Sequence, residues 1–321
     1  MILPSLPHRP ALAAALALLA GACADEAPAP PPNLVLITVD TLRADHLGAY
    51  GHERATSPNL DALADDGVRF DAPVAPSPWT LPSLTSIHTG LYPSEHGAVR
   101  KDTRLADETG TLAEALQGAG YRTIGLVANV LASEQYGLDR GFDHFDASPT
   151  WTEDPSGSSE LLTHLARGAL DDVVAAGDEP FFLWVHYFDP HSPYLAHPRF
   201  CFADPSWPAP LTNRELTALR TEIASLPNAA NLPAGQHARD LYDEEVAHTD
   251  EWIGVLLEAL EAIDSERVTV IAMTSDHGEA FYEHEAFGHG KWVYDELVRL
   301  PLILGGDLDP GLAGTVVEAP V

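Results

Sequence analysis

Asn33-Leu34-Val35-Leu36-Ile37-Thr38-Val39-Asp40 is the stretch on which the fold turns. From Leu34 to Val39 it is an unbroken apolar and β-branched run, the composition of a strand buried on both faces, and it stops at a carboxylate. Runs of the same kind occupy residues 121–128, 180–188 and 268–273. Helical patterns lie around them, over residues 57–66, 111–117, 160–176, 213–225 and 238–263. Strands separated by helix-length segments predict a mainly parallel sheet covered on both faces, with the chemistry beyond the carboxyl ends of the strands. The Pro- and Asn-rich residues 203–234 break the pattern and read as an excursion or lid.

Composition narrows the partners. The 321 residues carry 48 Asp+Glu against 17 Lys+Arg, a net charge of -31, so a polyanion meets repulsion and no nucleic acid is expected to bind. Lys101 and Lys291 are the sole lysines; a site for an anion must therefore bring its own local positive charge. An apolar fraction of 45% excludes a disordered chain. The two cysteines, Cys23 and Cys201, supply neither a disulfide framework nor a zinc site, and Cys201 between Phe200 and Phe202 reads as a buried free thiol.

Cys23 has its own context. Arg9, the apolar residues 11–20 and the small residues Ala20-Gly21-Ala22 follow the order of an export signal over residues 1–22, too short for a permanent span. Small residues before a cysteine resemble a lipoprotein processing box, with Cys23 as the lipidated residue that anchors the chain to a membrane. An ordinary cleaved secretion signal is the alternative. Both readings are extracytoplasmic: a bacterial envelope lipoprotein, or else a periplasmic or secreted protein. Residues 23–32 are Pro-rich and read as an extended tether.

Beyond the predicted strands stand Asp40, then Asp189 and His191, then Asp276-His277-Gly278-Glu279. One Asp after a strand is ordinarily a turn residue. Acids and imidazoles after three strands instead suit a divalent cation with oxygen and nitrogen ligands. In Trp79-Thr80-Leu81-Pro82-Ser83, Pro82 starts a helix running to about Thr89 and leaves Thr80 near its N-terminal cap. A hydroxyl there is either a nucleophile favoured by the helix dipole or simply the cap. Asp243-Glu244-Glu245 and Asp250-Glu251 read as a solvated helix face. His8, His52, His164, His197, His237 and His248 have no partner that sequence identifies.

Six stretches then carry a resemblance: residues 33–51 (NLVLITVDTLRADHLGAYG), 57–70 (SPNLDALADDGVRF), 77–97 (SPWTLPSLTSIHTGLYPSEHG), 182–194 (FLWVHYFDPHSPY), 274–279 (TSDHGE) and 288–303 (GHGKWVYDELVRLPLI). In this order they resemble the sulfatase family of the alkaline phosphatase superfamily. The resemblance implies an α/β sandwich with a mixed, mostly parallel central sheet flanked by helices. Residues 33–321 would be the catalytic domain, without the C-terminal subdomain usual in the family. It also implies metal-assisted transfer of sulfuryl or phosphoryl groups through a covalent intermediate. Asp40 matches a metal ligand, and Asp276 with His277 the later metal-binding pair; where the family usually has a second Asp, Thr41 follows Asp40. His191 matches a substrate-contacting histidine. The family's lysine falls near Lys291, one residue off in its spacing to the next tyrosine, and His289 is the other occupant of that region, with a surface or turn reading open for both. Asp189 joins Lys291 as a substrate-binding candidate.

One departure bears on the chemistry. Sulfatases oxidise the first residue of a Cys/Ser-x-Pro-Ser-Arg motif to formylglycine, whereas this chain has Thr80-Leu81-Pro82-Ser83-Leu84. Oxidising a threonine carbinol gives a ketone, not an aldehyde. The resemblance therefore points to threonine-nucleophile relatives acting on phosphodiesters, such as envelope phosphoglycerol and phosphoethanolamine transferases. The expectation is a hydrolase or transferase of anionic phosphate or sulfate esters, passing through a covalent Thr80 intermediate. The alternatives are a sulfuric ester hydrolase without formylglycine and a non-catalytic envelope lipoprotein. Two-zinc members place a His four residues after an Asp, but Pro193 stands four after Asp189. One Mn²⁺, Mg²⁺ or Ca²⁺ held by Asp40, Thr80, Asp276 and His277 is expected rather than a zinc pair, with His191 or His289 as the acid and base.

Overall fold

The computed structural model describes residues 29–151, 158–177, 179–207, 209, 211–212, 214–216, 232–263, 265 and 267–321. Cys23, most of the tether and most of the expected helix over 213–225 lie outside the described residues, as does much of the irregular segment 203–234.

In chain order the strands are β1 (Asn33–Val39), β2 (Val68–Ala72), β3 (Arg122–Val127), β4 (His144–Asp146), β5 (Phe181–Tyr187), β6 (Thr269–Ser275), the short β7 (Ala280–Phe281) and β8 (Phe287–Gly288), β9 (Leu302–Gly306) and β10 (Thr315–Pro320). β7 and β8 pair with each other, and the other eight form one sheet in the order β10-β2-β9-β6-β1-β5-β3-β4. β9 is antiparallel to both its neighbours, while the other pairings are parallel. The sheet is thus mixed and mostly parallel, as expected.

The helices are α1 (Pro58–Asp65), α2 (Thr80–Thr89), α3 (Pro93–His96), α4 (Leu112–Gly118), α5 (Ser158–Ala176), α6 (Pro233–Glu261) and α7 (Asp295–Val298). β1 buries both faces because period-2 alternation supplies an apolar set to each. Val35, Ile37 and Val39 join Leu183, Val185 and Tyr187 of β5 against Leu162, Ala166, Leu170 and Val173 of α5 and Leu241, Val246, Ile253 and Leu256 of α6. Leu36, with Phe182 and Trp184, packs on Leu84 of α2 and Ala113 of α4. Register then assembles the site. Val39 pairs with both Tyr187 and Ser275, so the chain leaves β1, β5 and β6 at one level.

Of the acids expected on a solvated face of α6, only Glu251 is partly exposed, and the other four are buried. Asp243, Glu244, Glu245 and Asp250 are each about 1–2% exposed, because segments crossing α6 need acceptors for backbone N–H groups. Glu244 accepts from the amides of His197 (2.7 Å), Phe202 (2.9 Å) and Ala203 (2.9 Å). Glu245 accepts from the Leu195 amide (2.6 Å), and Asp250 caps α1 through the amides of Asn59 (3.0 Å) and Leu60 (2.9 Å). Asp243 meets His46 Nδ1 at 2.5 Å and the Arg54 guanidinium at 2.7 Å. His52 and His197, unpartnered in the sequence reading, lie against Asp243 and Glu245. Cys201 also departs from expectation. It is exposed, in a left-handed backbone conformation (φ 59°) that turns it outward while Phe200 and Phe202 stack on each other.

Burial pushes the Glu245 carboxyl up to about 7, with Asp189 adding to the effect and His197 opposing it. Between pH 4.5 and about 7 the folded chain retains a proton that the unfolded chain has lost, so this group's contribution to stability falls as pH rises. Glu245→Gln is expected to raise stability at pH 8 by about 1–3 kcal/mol and to leave it nearly unchanged at pH 4. Denaturant melts across that range check this; parallel curves for the two proteins would refute it.

Candidate active site and metal centre

Asp40 follows β1, its amide held by the Tyr187 carbonyl at 2.9 Å. Asp276 and His277 follow β6, and Thr80 opens α2. Ser83 Oγ donates to the Asp276 carbonyl at 2.6 Å, fastening the first turn of α2 to the end of β6. Thr80 is not the helix cap: Trp79 is, and Thr80 Oγ1 lies 3.2 Å from His277 Nε2. All four expected ligand residues therefore converge.

The proton inventory shows what the cluster lacks. His277 Nδ1 lies 2.9 Å from the Gly278 carbonyl and must donate to it, which leaves a lone pair on Nε2. That atom lies 3.5 Å from Asp40 Oδ1 and 3.4 Å from Asp276 Oδ2. Neither oxygen has a hydrogen-bond partner among the described residues, although the opposite oxygens are engaged. Asp40 Oδ2 accepts from Asn129 Nδ2, and Asp276 Oδ1 from the amides of Thr41 and His277. Burial raises the Asp40 carboxyl well above its ordinary value, and Asp276 adds to this. Burial also pushes Asp276 up to about 7, against those two amide bonds. Burial, reinforced by His289, drives His277 far down and keeps it neutral. Here the Thr80 hydroxyl is the one donor on Nε2, and two buried carboxylate oxygens face that nitrogen with no hydrogen between them, an arrangement that fits a divalent cation. Thr41, in the position of the family's second Asp, has a buried hydroxyl with no hydrogen-bond partner among the described residues.

A second layer lies above. His289 Nδ1 is 3.0 Å from Glu279 Oε1, and Tyr194 donates to Glu279 Oε2 at 3.0 Å. Burial raises the Glu279 carboxyl, but His289, His191 and the Tyr194 hydroxyl together bring it below its ordinary value. The His289 ring is 4.5 Å from that of His277 and 5.1 Å from that of His191. The Gly290 amide donates to the Pro78 carbonyl at 2.9 Å, which sets this loop beside the start of α2. Burial, then His289, pushes His191 down to about 4.

The two substrate-binding candidates lie differently. Asp189 Oδ2 accepts from the hydroxyls of Ser158 (2.7 Å) and Ser159 (2.6 Å) and from the Ser159 amide, holding the start of α5. Lys291 is exposed, its ammonium 5.8 Å from the Trp292 ring centre. Sequence reasoning missed Asn129, Tyr194 and His186, and it named Glu279 only as an acid after a strand, without a role of its own. Asn129 follows β3 and obeys the strand-end rule; Glu279 stands within TSDHGE; Tyr194 was quoted without a role; His186 was hidden inside a strand.

Known proteins resemble this chain in sequence and in fold. The family described as Sulfatase matches residues 32–307. An arylsulfatase of Clostridium perfringens is 28% identical over 89% of this chain and 71% of its own length. An ulvan-active sulfatase of Formosa agariphila is 26% identical over 90% of this chain, which spans 59% of that relative. The crystal structure of a phosphonate monoester hydrolase of Agrobacterium radiobacter shares the fold at a TM-score of 0.67 and 23% identity, over 90% of this chain and 70% of that one. A match that runs from the start of β1 through β9, on a sheet that gathers Asp40, Thr80, Asp276 and His277 at one edge, means that this chain belongs to the sulfatase family.

Proposed function

We propose that the protein is a metal-dependent ester hydrolase or transferase with Thr80 as nucleophile, acting on phosphate esters in preference to sulfate esters. The observation that carries this is Thr80 Oγ1 at 3.2 Å from His277 Nε2, beside two unpartnered buried carboxylate oxygens. Asp40, Thr80, Asp276 and His277 would hold one Mn²⁺, Mg²⁺ or Ca²⁺. Bound there, the ion would supply positive charge that acidifies the Thr80 hydroxyl and offsets the charge of an anionic ester. Thr80 Oγ1, its proton released to solvent, attacks phosphorus as the alkoxide, and the bond from phosphorus to the leaving oxygen breaks. His289, oriented by Glu279, gives that oxygen its proton and then takes one from the water or alcohol that releases the phosphothreonine. His191, shifted down to about 4, carries no proton to donate near neutral pH and is assigned to substrate contact. Residues 1–32 are assigned to export and envelope anchoring through Cys23.

A second reading, sulfate ester hydrolysis, is favoured by the arylsulfatase relative. Purified protein assayed with Mn²⁺ against an aryl phosphodiester, an aryl phosphomonoester and an aryl sulfate separates the two. Faster phosphate ester turnover, with phosphate recovered on the peptide containing Thr80, is the expected result. Faster sulfate turnover establishes the second reading. Neither turnover nor metal binding leaves a non-catalytic module.

A further inference from the structure

We propose that His186 is a further ligand of the metal ion, its Nε2 joining Asp40 and Asp276 from β5, and that Thr38 and Trp184 fix the tautomer that permits this. The inference rests on the metal centre proposed above. His186 lies inside β5, paired directly with Thr38 of β1, and is fully buried. Its Nε2 has no hydrogen-bond partner among the described residues. One ligand atom from each of Asp40, His186 and Asp276 lies within 4.8 Å of the others. Donors held about 2.0–2.6 Å from a single ion occupy a span of this size.

Hydrogen bonding behind the ring favours one tautomer. Trp184 Nε1, which can only donate, gives its hydrogen to Thr38 Oγ1 at 2.9 Å. Thr38 Oγ1 is also 2.9 Å from His186 Nδ1 and 3.5 Å from the Val185 carbonyl. If Thr38 donated to Nδ1, then Nε2 would carry a buried hydrogen beside two carboxylates with unpartnered oxygens and yet bond to neither. If Nδ1 donates instead, Thr38 accepts twice and donates to Val185, and Nε2 presents a lone pair. That second arrangement repeats the one at His277, where Nδ1 donates to a carbonyl and Nε2 stands off from the same oxygens. Orienting a ligand imidazole through its other nitrogen is a common role for groups behind a metal site. The other His/Asp group, His46-His52-Asp243, contains the Arg54 guanidinium on its carboxylate and reads as an ion-pair knot.

Two imidazoles among the ligands would favour Mn²⁺ or Co²⁺ over Ca²⁺. The test is titration of the metal-depleted full chain with Mn²⁺ (electron paramagnetic resonance), Co²⁺ (visible absorption) and Ca²⁺ (calorimetry). His186→Ala is expected to weaken Mn²⁺ and Co²⁺ binding by about 10–100-fold and Ca²⁺ binding much less, and to remove one histidine from the nitrogen spin-echo modulation of bound Mn²⁺. Thr38→Val is expected to weaken Mn²⁺ binding by about tenfold, and Thr38→Ser to retain it. Should His186→Ala fail to fold, His186→Gln serves for the same readings. Equal losses for all three ions, or unchanged modulation, would overturn the inference and leave the centre standing. A wild-type chain that binds none of the ions would overturn both.

Discussion

Thr80→Ala is expected to lower kcat by about 10³–10⁶-fold against the preferred ester while leaving the fold intact. The loss is large because the hydroxyl one turn on in α2, that of Ser83, already donates to the Asp276 carbonyl and cannot take its place. The fold survives because Thr80 Oγ1 does not cap α2, so its removal costs stability about 1 kcal/mol or less. A chain that merely uses Thr80 as a cap would show the reverse, with weaker stability and unchanged turnover. Thr80→Ser keeps a hydroxyl and is expected to retain measurable activity and covalent labelling. Turnover of Thr80→Ala within tenfold of wild type would mean that water attacks directly.

Asp40→Asn is expected to abolish activity and yet stabilise the metal-free protein. Without an ion, Asp40 and Asp276 bring two carboxylates into one buried cluster, and each raises the cost of ionising the other. The amide relieves that repulsion, while its loss of charge removes the attraction for a cation. Wild-type protein at a Mn²⁺ concentration of about 100 Kd should gain about 2.7 kcal/mol over the metal-free form, a gain the variant should lack. Melts with chelator and with Mn²⁺ read both effects. Equal Mn²⁺-induced stabilisation in the two proteins would show that the ion sits elsewhere.

Much of this arrangement was legible before any coordinates. β1, α2 and the TSDHGE segment announce themselves through local rules: an unbroken apolar run ending in Asp40, a Pro82 that starts a helix, and acids placed after strands. Those rules operate over a few residues, so the strand ends and the positions of Asp40, Thr80, Asp276 and His277 could be read directly. The acidic face of α6 could not, since a carboxylate that receives the amides of Leu195 or Asn59 has the same period as one that faces water. Neither could His186, nor the pairing of Asn129 with Asp40 and of Glu279 with Tyr194, which span 89 and 85 residues.

The sequence by itself determined the alternation of strands and helices, the family and the four residues that meet at the sheet edge. Only the tertiary structure decided which buried polar atoms face one another. Asn129 reaches Asp40 across 89 residues and Thr38 reaches His186 across 148. Such contacts follow from strand register and from the burial that makes an unpaired polar atom costly, and neither is a property of a short segment.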